Sequence, residues 1–196
     1  MYLSPQEVGL GQREPVPDVS RVLSRYVDCI VARVFSHKTL EVLAKSSSVS
    51  VINALSDHEH PCQALADLLT IREHKGALAG VRLAYVGDGN NVARSLCLAA
   101  ASVGMHFSIA TPSGYGLDGE TLGMAKGLAD ATGAELLVVE DPAEAVAGAD
   151  VVYTDTWTSM GQEDEAVLRR QVFSSYQVND SLLGRAGPDA IFMHCL

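Results

Sequence analysis

The chain contains no long apolar run, no Cys-x-x-Cys pair and no cluster of basic residues. Because a membrane-spanning helix needs about 20 consecutive apolar residues, none is expected here, and the first residues, MYLSPQEVGL, lack the basic and apolar regions of a signal peptide. Four cysteines scattered along the chain indicate reduced thiols and a cytoplasmic protein. A formal net charge of −10 without a basic patch argues against nucleic-acid and membrane partners.

What the chain does contain is short apolar runs that alternate with amphipathic segments. DCIVARVF (28–35) predicts a buried strand, and HKTLEVLAKS (37–46) predicts the helix that follows it. Further strands are predicted at SVSVINA, RLAYV, HFSIATP, AELLVV, ADVVYTD and AIFMHCL, and further helices at PCQALADLLTIREHK, 91–103 and GETLGMAKGLADATG. Strands that alternate with helices indicate an α/β fold with parallel sheets in two lobes. The weak apolar pattern of LTIREHKGALAGVR places the border between the lobes after Lys75.

Polar clusters follow several of the predicted strands. SDHEHPCQ comes after VINAL, GDGNN after RLAYV, TDTWTSMGQE after DVVY and HCL after AIFM, while Arg33 lies near the end of its strand. In open parallel sheets, ligands bind beyond the carboxyl ends of the strands. Several polar strand ends in one chain therefore predict a shared binding cleft.

Each cluster also has an ordinary structural interpretation. His58-x-His60 supplies two metal-ligand side chains where a site needs three or four, and Pro61 suits the first turn of a helix. GDGNN is not a complete dinucleotide-binding loop, because Val92 stands where the third glycine of G-x-G-x-x-G belongs, and it also suits an ordinary turn. SMG suits a plain loop, and Cys195 suits a buried thiol, the commonest state of a lone cysteine.

Four motifs, taken in order, resemble those of the transcarbamylase family, and within it the ornithine carbamoyltransferases: HPCQ (60–63), DGNN (88–91), TDTWTSMGQE (154–163) and HCL (194–196). ARVFSH and SPQEVGLGQREPVPDVSRVLSRY support the resemblance, which covers essentially the whole chain. It implies carbamoyl transfer from carbamoyl phosphate to L-ornithine, giving L-citrulline and phosphate, as in arginine biosynthesis. It also implies two domains. Residues 1–75 are part of a carbamoyl phosphate-binding domain, so the first lobe is incomplete. Residues 76–196 are a doubly wound, Rossmann-like ornithine-binding domain whose C-terminal end is missing.

For carbamoyl phosphate, the resemblance implies binding by Arg33, His60 and Gln63, with Cys195 and Leu196 lining the point where the two substrates meet. Negative charge grows on the carbonyl oxygen when an amine attacks the carbonyl carbon. Preorganised donors aimed at that oxygen stabilise the transition state more than the ground state. We expect His60 and Gln63 to donate to, or orient, the carbamoyl group.

For ornithine, the resemblance implies binding by Asn91, Asp155, Ser159 and Met160, with Asp155 paired to the α-ammonium. The catalytic residues that it implies are Cys195, His60 and Asp155. The δ-amine must be neutral to attack, so its deprotonation belongs to catalysis. Since no covalent intermediate is required, Cys195 is a positioning group and not a nucleophile. No cofactor and no metal is expected.

The sequence departs from the family pattern in two places. It contains no Ser-Thr-Arg-Thr loop to grip the phosphate, and it stops at Leu196, where the family continues with a proline and an arginine-bearing segment. The chain therefore resembles the middle of a family enzyme, as a shortened form, an incomplete sequence or a gene remnant. Of the cationic groups expected to hold the dianionic substrate, only Arg33 is present. We expect the 196-residue chain alone to turn over carbamoyl phosphate poorly or not at all.

Other functions remain open at this point. One is a non-catalytic fragment that binds ornithine or a partner subunit, and another is a transcarbamylase for a different amine. SMG favours ornithine over putrescine, because an α-amino acid needs Asp155 and loop contacts that a diamine does not. A nicotinamide-dependent oxidoreductase is disfavoured by Val92. Family enzymes are trimers, so a homotrimer is expected for the full-length form, with SPQEVGLGQRE reaching a neighbouring subunit.

Overall fold

The computed structural model describes residues 1–159 and 161–195, except the side chains of residues 5 and 6. The chain forms two compact units, Met1–Cys62 and Gln63–Leu196. The border between them falls inside a helix, two residues after its start at Pro61. The division of the functional domains after Lys75 stays a prediction, because a compact unit and a functional domain need not share a border.

The first unit is built on a two-stranded parallel sheet. Its elements are α1 (Pro5–Val8), α2 (Val16–Leu23), β1 (Cys29–Arg33), α3 (His37–Ser46) and β2 (Ser50–Leu55). Residues of β1 alternate between buried and exposed, so that Ile30 and Ala32 pack with Leu40 and Leu43 of α3. The opposite face of the strand carries Val31, whose side chain is 61% exposed. The predicted strand–helix–strand order is confirmed.

The second unit is built on a five-stranded sheet in the order β5-β4-β3-β6-β7, with every neighbouring pair parallel. Helix α4 (Pro61–Lys75) leads into it, and the elements that follow are β3 (Arg82–Val86), α5 (Asn91–Ser102), β4 (His106–Ala110), α6 (Gly119–Thr132), β5 (Leu136–Val139), α7 (Pro142–Val146), β6 (Val151–Thr154), α8 (Ala166–Val172), α9 (Asp180–Leu183) and β7 (Ile191–His194). The order runs outward from β3 in one direction and from β6 in the other. The point where it reverses, between β3 and β6, is where such sheets bind ligands.

Both faces of the second sheet are covered. Along β3, Leu83 and Tyr85 enter one apolar core together with residues of α4, α5 and α6. Ala84 and Val86 enter a second core on the other face, with Phe173 and the residues of α7. Because the strand is buried on both sides, its sequence is nearly all apolar instead of alternating. The fold class, two parallel-sheet α/β lobes with the second doubly wound, is confirmed.

Several short helices carry no clear sequence signal. α7 begins after Asp141, whose side chain accepts a hydrogen bond from the backbone N–H of Ala143. α8 follows a short 3₁₀ turn at Glu163–Glu165. Segments this short do not complete enough helical turns to show an apolar period, so tertiary packing decides their conformation. Within the part of the chain that the structure describes, no helix combines the length and apolar character needed to cross a bilayer.

Candidate functional site

The reversal point of the second sheet brings together polar side chains that lie far apart in sequence. Asp155 follows β6 directly, and Asn90 precedes α5 at the end of the loop after β3. The Nδ2 of Asn90 donates to Oδ2 of Asp155 at 2.7 Å. Since Thr154 of β6 is the register partner of His194 in β7, Cys195 comes to the same strand end as Asp155.

The amide of Asn90 is fixed in one orientation. Its Oδ1 accepts from the backbone N–H groups of Val92 and Ala93 at 3.0 and 3.1 Å and from the hydroxyl of Tyr85 at 3.4 Å. This is an N-cap that satisfies free donors in the first turn of α5. Because the oxygen is engaged by the helix, Nδ2 must point away from it, toward Asp155. The sequence resemblance drew attention to Asn91 and missed Asn90, although an Asn before a helix is a recognisable capping signal.

The segment that follows Asp155 returns to the same asparagine. The Nδ2 of Asn90 lies 3.4 Å from the Oγ of Ser159, whose backbone N–H donates to Oε1 of Gln162 at 3.1 Å. Asp155 Oδ1 accepts from the backbone N–H of Thr156 at 2.6 Å. The structure thus brings predicted residues Asp155 and Ser159 together. Predicted residues Met160 and Leu196 lie outside the described residues.

Cys195 lies in a half-buried position beside this carboxylate. Burial, followed by the charge and a hydrogen bond of Asp155, raises the pKa of its thiol to about 12, while its interaction with the hydroxyl of Tyr153 acts in the opposite direction. The thiol is therefore neutral at physiological pH. This fits the expectation of a positioning group, since a nucleophilic cysteine needs a lowered pKa.

One group of side chains in the described ranges could hold a metal ion. Asp155, His194 and Cys195 each offer a ligand atom, and these atoms lie within 4.8 Å of one another. Nδ1 of His194 is buried without a hydrogen-bond partner among the described residues. Three ligands meet the minimum for an open zinc site. The sequence pair His58 and His60 is not part of such a group in residues 1–159 and 161–195.

A buried ion pair connects the loops that carry the site residues. Nη1 of Arg169, on α8, lies 2.8 Å from Oδ2 of Asp88, and the two side chains are 6% and 8% exposed. The same Nη1 donates to the backbone carbonyl of Trp157 at 3.0 Å, and the guanidinium lies 5.2 Å from the ring centroid of Tyr115. One side chain thus links the loops that follow β3, β4 and β6. Sequence reasoning missed Arg169, because an Arg-Arg pair on a short helix predicts an exposed surface.

The first unit has its own polar strand ends. Arg33 ends β1, is exposed, and is the register partner of Leu55 at the end of β2. The loop after β2 is held to the start of α3, because the carboxylate of Asp57 accepts from the backbone N–H of His37 at 2.8 Å. His60 ends this loop and is half-buried. Arg33 and His60 therefore belong to loops at the same edge of the two-stranded sheet.

The sequence matches two family models over most of its length. Residues 1–73 match the carbamoyl-P binding domain of aspartate/ornithine carbamoyltransferases. Residues 79–196 match the Asp/Orn binding domain of the same family. The five residues between the two matches fall around the end of α4.

Curated relatives and solved structures agree with these matches. The chain is 52% identical over its full length to the ornithine carbamoyltransferase of Anoxybacillus flavithermus and covers 62% of that protein. It is 55% identical to that of Methanothermobacter thermautotrophicus and covers 65% of it. The solved ornithine carbamoyltransferase of Pyrococcus furiosus superposes with a TM-score of 0.96 at 52% identity, over the whole of this chain and 63% of that one. The anabolic enzyme of Campylobacter jejuni superposes with a TM-score of 0.95 at 38% identity, over 100% of this chain and 65% of that one. The chain thus spans less than two thirds of the length of these relatives.

Proposed function

Because the chain belongs to the aspartate/ornithine carbamoyltransferase family, we propose that its protein transfers the carbamoyl group of carbamoyl phosphate to the δ-amine of L-ornithine, giving L-citrulline and phosphate. The observation that carries the proposal is the hydrogen-bonded group Asn90, Asp155 and Ser159 beside Cys195 at the reversal point of the second sheet. Relatives that are 52–55% identical carry the name of this enzyme.

In the proposed complex, the carboxylate of Asp155 pairs with the α-ammonium of ornithine. Asn90 holds this carboxylate from one side at 2.7 Å, so the charge is in place before the ligand arrives. Asn91, Ser159 and Met160 supply the remaining contacts to the amino acid. Preorganisation matters because a fixed group loses little conformational freedom on binding.

The chemical step is attack of the neutral δ-amine on the carbamoyl carbon, with phosphate leaving. Arg33, His60 and Gln63 bind carbamoyl phosphate, and His60 faces the carbonyl oxygen where negative charge grows. The neutral thiol of Cys195 positions the reacting groups and forms no bond to carbon. Proton removal from the δ-ammonium precedes attack, since only the free amine has a lone pair.

The 196-residue chain alone is proposed to turn over poorly. It contains no Ser-Thr-Arg-Thr phosphate loop, and each missing charge-assisted contact is worth about 1.5–3 kcal/mol. Several such losses reduce carbamoyl phosphate affinity by orders of magnitude. Citrulline formation by the isolated chain at ordinary enzyme rates would contradict this. The homotrimer stays a prediction.

Two substitutions separate the two substrates, and they are best made in the longest form of the protein that its gene encodes. Asp155→Asn keeps the side-chain shape but removes the charge, so ornithine affinity should fall roughly 10- to 100-fold while carbamoyl phosphate affinity is nearly unchanged. His60→Ala should instead weaken carbamoyl phosphate binding and slow the chemical step. Calorimetric titration of each variant with each ligand is the measurement.

Asp164→Asn is the matched control, because this carboxylate lies in the same segment but is exposed and has no proposed role. It should leave both affinities unchanged. If Asp155→Asn weakens both ligands equally with the fold intact, Asp155 holds the site together and does not recognise the amino acid. If the unsubstituted protein binds neither ligand, the proposed function itself is wrong.

A further inference from the structure

One buried carboxyl group has no part in the chemistry proposed above. Asp67 lies on α4, and only 4% of the residue is exposed. Its Oδ1 accepts from Nε2 of Gln63 at 3.0 Å, and its Oδ2 accepts from the hydroxyl of Tyr153 at 3.0 Å. A Gln–Asp pair four residues apart is common on exposed helix surfaces. Here it is buried, where a carboxyl group is costly unless its oxygens are satisfied.

The contacts decide which way the Gln63 amide faces. An ionised carboxylate is an acceptor only, so the end of the amide that meets Asp67 must be the nitrogen. Oε1 is then the atom that Gln63 offers elsewhere. An amide held in this way presents Oε1 as an acceptor for an N–H group of a ligand, because the bond from Nε2 to Asp67 prevents the amide from flipping.

Tyr153 connects the same carboxyl group to the site at the reversal point. It is fully buried, and its ring stacks on Tyr85 with 5.8 Å between centroids and 17° between planes. Its hydroxyl donates to Asp67 and also interacts with the thiol of Cys195. Burial raises the pKa of Asp67, while the bonds from Gln63 and Tyr153 act to lower it. These two hydrogen bonds therefore offset the cost of burying the carboxylate of Asp67.

We propose that Asp67 is a positioning residue that turns the oxygen of Gln63 toward the –NH₂ of the carbamoyl group, so that the protein selects a carbamoyl over an acetyl group. This rests on the proposed function, since Gln63 must meet carbamoyl phosphate. Carbamoyl phosphate and acetyl phosphate share the carbonyl and the phosphate and differ in an –NH₂ against a –CH₃. An acceptor oxygen that faces the methyl group stays unpaired, and a site built to pair an N–H disfavours the ligand that lacks it.

The test is the ratio of the dissociation constants of acetyl phosphate and carbamoyl phosphate, measured by calorimetry in the longest encoded form of the protein. Asp67→Leu keeps a side chain of similar size that cannot accept a hydrogen bond. It should lower the ratio about tenfold, which is the effect of losing one hydrogen bond. Gln63→Ala should lower it equally. In the double variant the ratio should fall no further, because Asp67 acts through Gln63.

Glu73→Gln is the control, because this carboxylate lies on the same helix as Asp67 but is exposed and has no proposed role. It should keep the ratio unchanged. A purely structural role for Asp67 predicts a different result: lower thermal stability and equal loss of both phosphates at a constant ratio. That outcome, or a further fall of the ratio when Asp67→Leu is added to Gln63→Ala, overturns the proposal.

A measurement without ligand keeps the proposal testable if Asp67→Leu does not fold or if the proposed function fails. In the unsubstituted 196-residue chain, NMR should show one side-chain Nε2 proton of Gln63 shifted downfield and exchanging slowly with solvent. If both protons exchange as in an exposed glutamine, the orientation is wrong whatever the ligand. If the orientation is seen but carbamoyl phosphate does not bind to the longest encoded form of the protein, the proposed function has failed and the selection of the carbamoyl group with it.

Discussion

Replacing Arg169 by Met tests how much the second unit depends on one buried ion pair. The change removes the guanidinium from Asp88, at 2.8 Å, and from the carbonyl of Trp157, at 3.0 Å. It also removes the guanidinium from beside the rings of Tyr115 and Phe173, whose centroids lie 5.2 and 5.9 Å from its carbon. The main consequence is that the carboxylate of Asp88, 8% exposed, loses its cation.

The expected loss is about 3 kcal/mol of the free energy of unfolding, the lower end of the cost of breaking a buried ion pair. It stays at that end because Asp88 can take up a proton. Burial already raises the pKa of Asp88, and Arg169 acts to lower it, so the pKa rises further when the arginine is removed. The ion pair of Arg169 with Glu165 adds little, since the glutamate side chain is 58% exposed.

Urea unfolding followed by tryptophan fluorescence measures this loss directly. The chain has one tryptophan, Trp157, which lies in the second unit and stacks on Phe173 with 6.3 Å between centroids. Arg170→Met is the matched control, because this neighbouring arginine is exposed and should change stability by less than about 0.5 kcal/mol. If the two variants differ by less than about 1 kcal/mol, the ion pair does not carry the stability assigned to it.

The pH dependence gives a second, independent check. A carboxyl group whose pKa is higher in the folded than in the unfolded state adds stability below its unfolded pKa of about 3.9 and loses that stability as the pH rises through the folded value. The difference between the folded and unfolded pKa of Asp88 is larger in Arg169→Met. The difference in the free energy of unfolding between variant and parent should therefore widen from about pH 4 toward pH 7. If the difference in the free energy of unfolding between variant and parent narrows over this range, Asp88 is not the group whose unpaired charge destabilises the variant.

Two further predictions concern the same edge of the sheet. Gly89→Ala should destabilise the second unit by about 1–3 kcal/mol, because a Cβ there would lie 2.5 Å from the backbone carbon of Gly116. Gly123→Ala, inside α6 with nothing within 4 Å of the new Cβ, should instead gain up to about 1 kcal/mol. If the two substitutions change the free energy of unfolding in urea equally, the close approach of Gly89 to the backbone of Gly116 is wrong. With a pKa of about 12, roughly one Cys195 thiol in 10,000 is ionised near pH 8, so iodoacetamide should label it far more slowly than the exposed Cys29 and Cys62. Peptide mapping by mass spectrometry follows this labelling. Asp155→Asn should speed the reaction at Cys195, and labelling of Cys195 as fast as that of Cys29 would contradict the raised pKa.

The sequence predicted those elements whose pattern is local. α3 begins and ends where HKTLEVLAKS predicts, and β3 spans RLAYV, which is apolar after its first residue, because apolar periodicity and turn residues decide such segments. The order of strands in the second sheet is not local information. That β6 pairs with β3, and thereby places Asp155 beside Asn90, depends on how the 64 residues between the two strands pack and not on any motif.

The same distinction separates the predicted from the missed site residues. Asp155 and Ser159 stand in a motif with a family resemblance, so their positions could be predicted. Arg169 and Asp67 could not, because their buried partners Asp88 and Tyr153 are 81 and 86 residues away. A charged residue on a helix is usually exposed, and only the fold shows that these two are buried and paired.

Stability alone does not account for these buried charges. An apolar pair of similar volume is commonly as stable as a buried ion pair, or more stable. What Arg169 supplies and a methionine cannot is directed bonds to the loops after β3 and β6 at once. The residues proposed to hold ornithine, Asn91 and Asp155, lie within three residues of those anchor points. A fixed guanidinium therefore limits how far the ligand-binding side chains can move, and for binding that geometry is worth more than the stability that an apolar pair would provide.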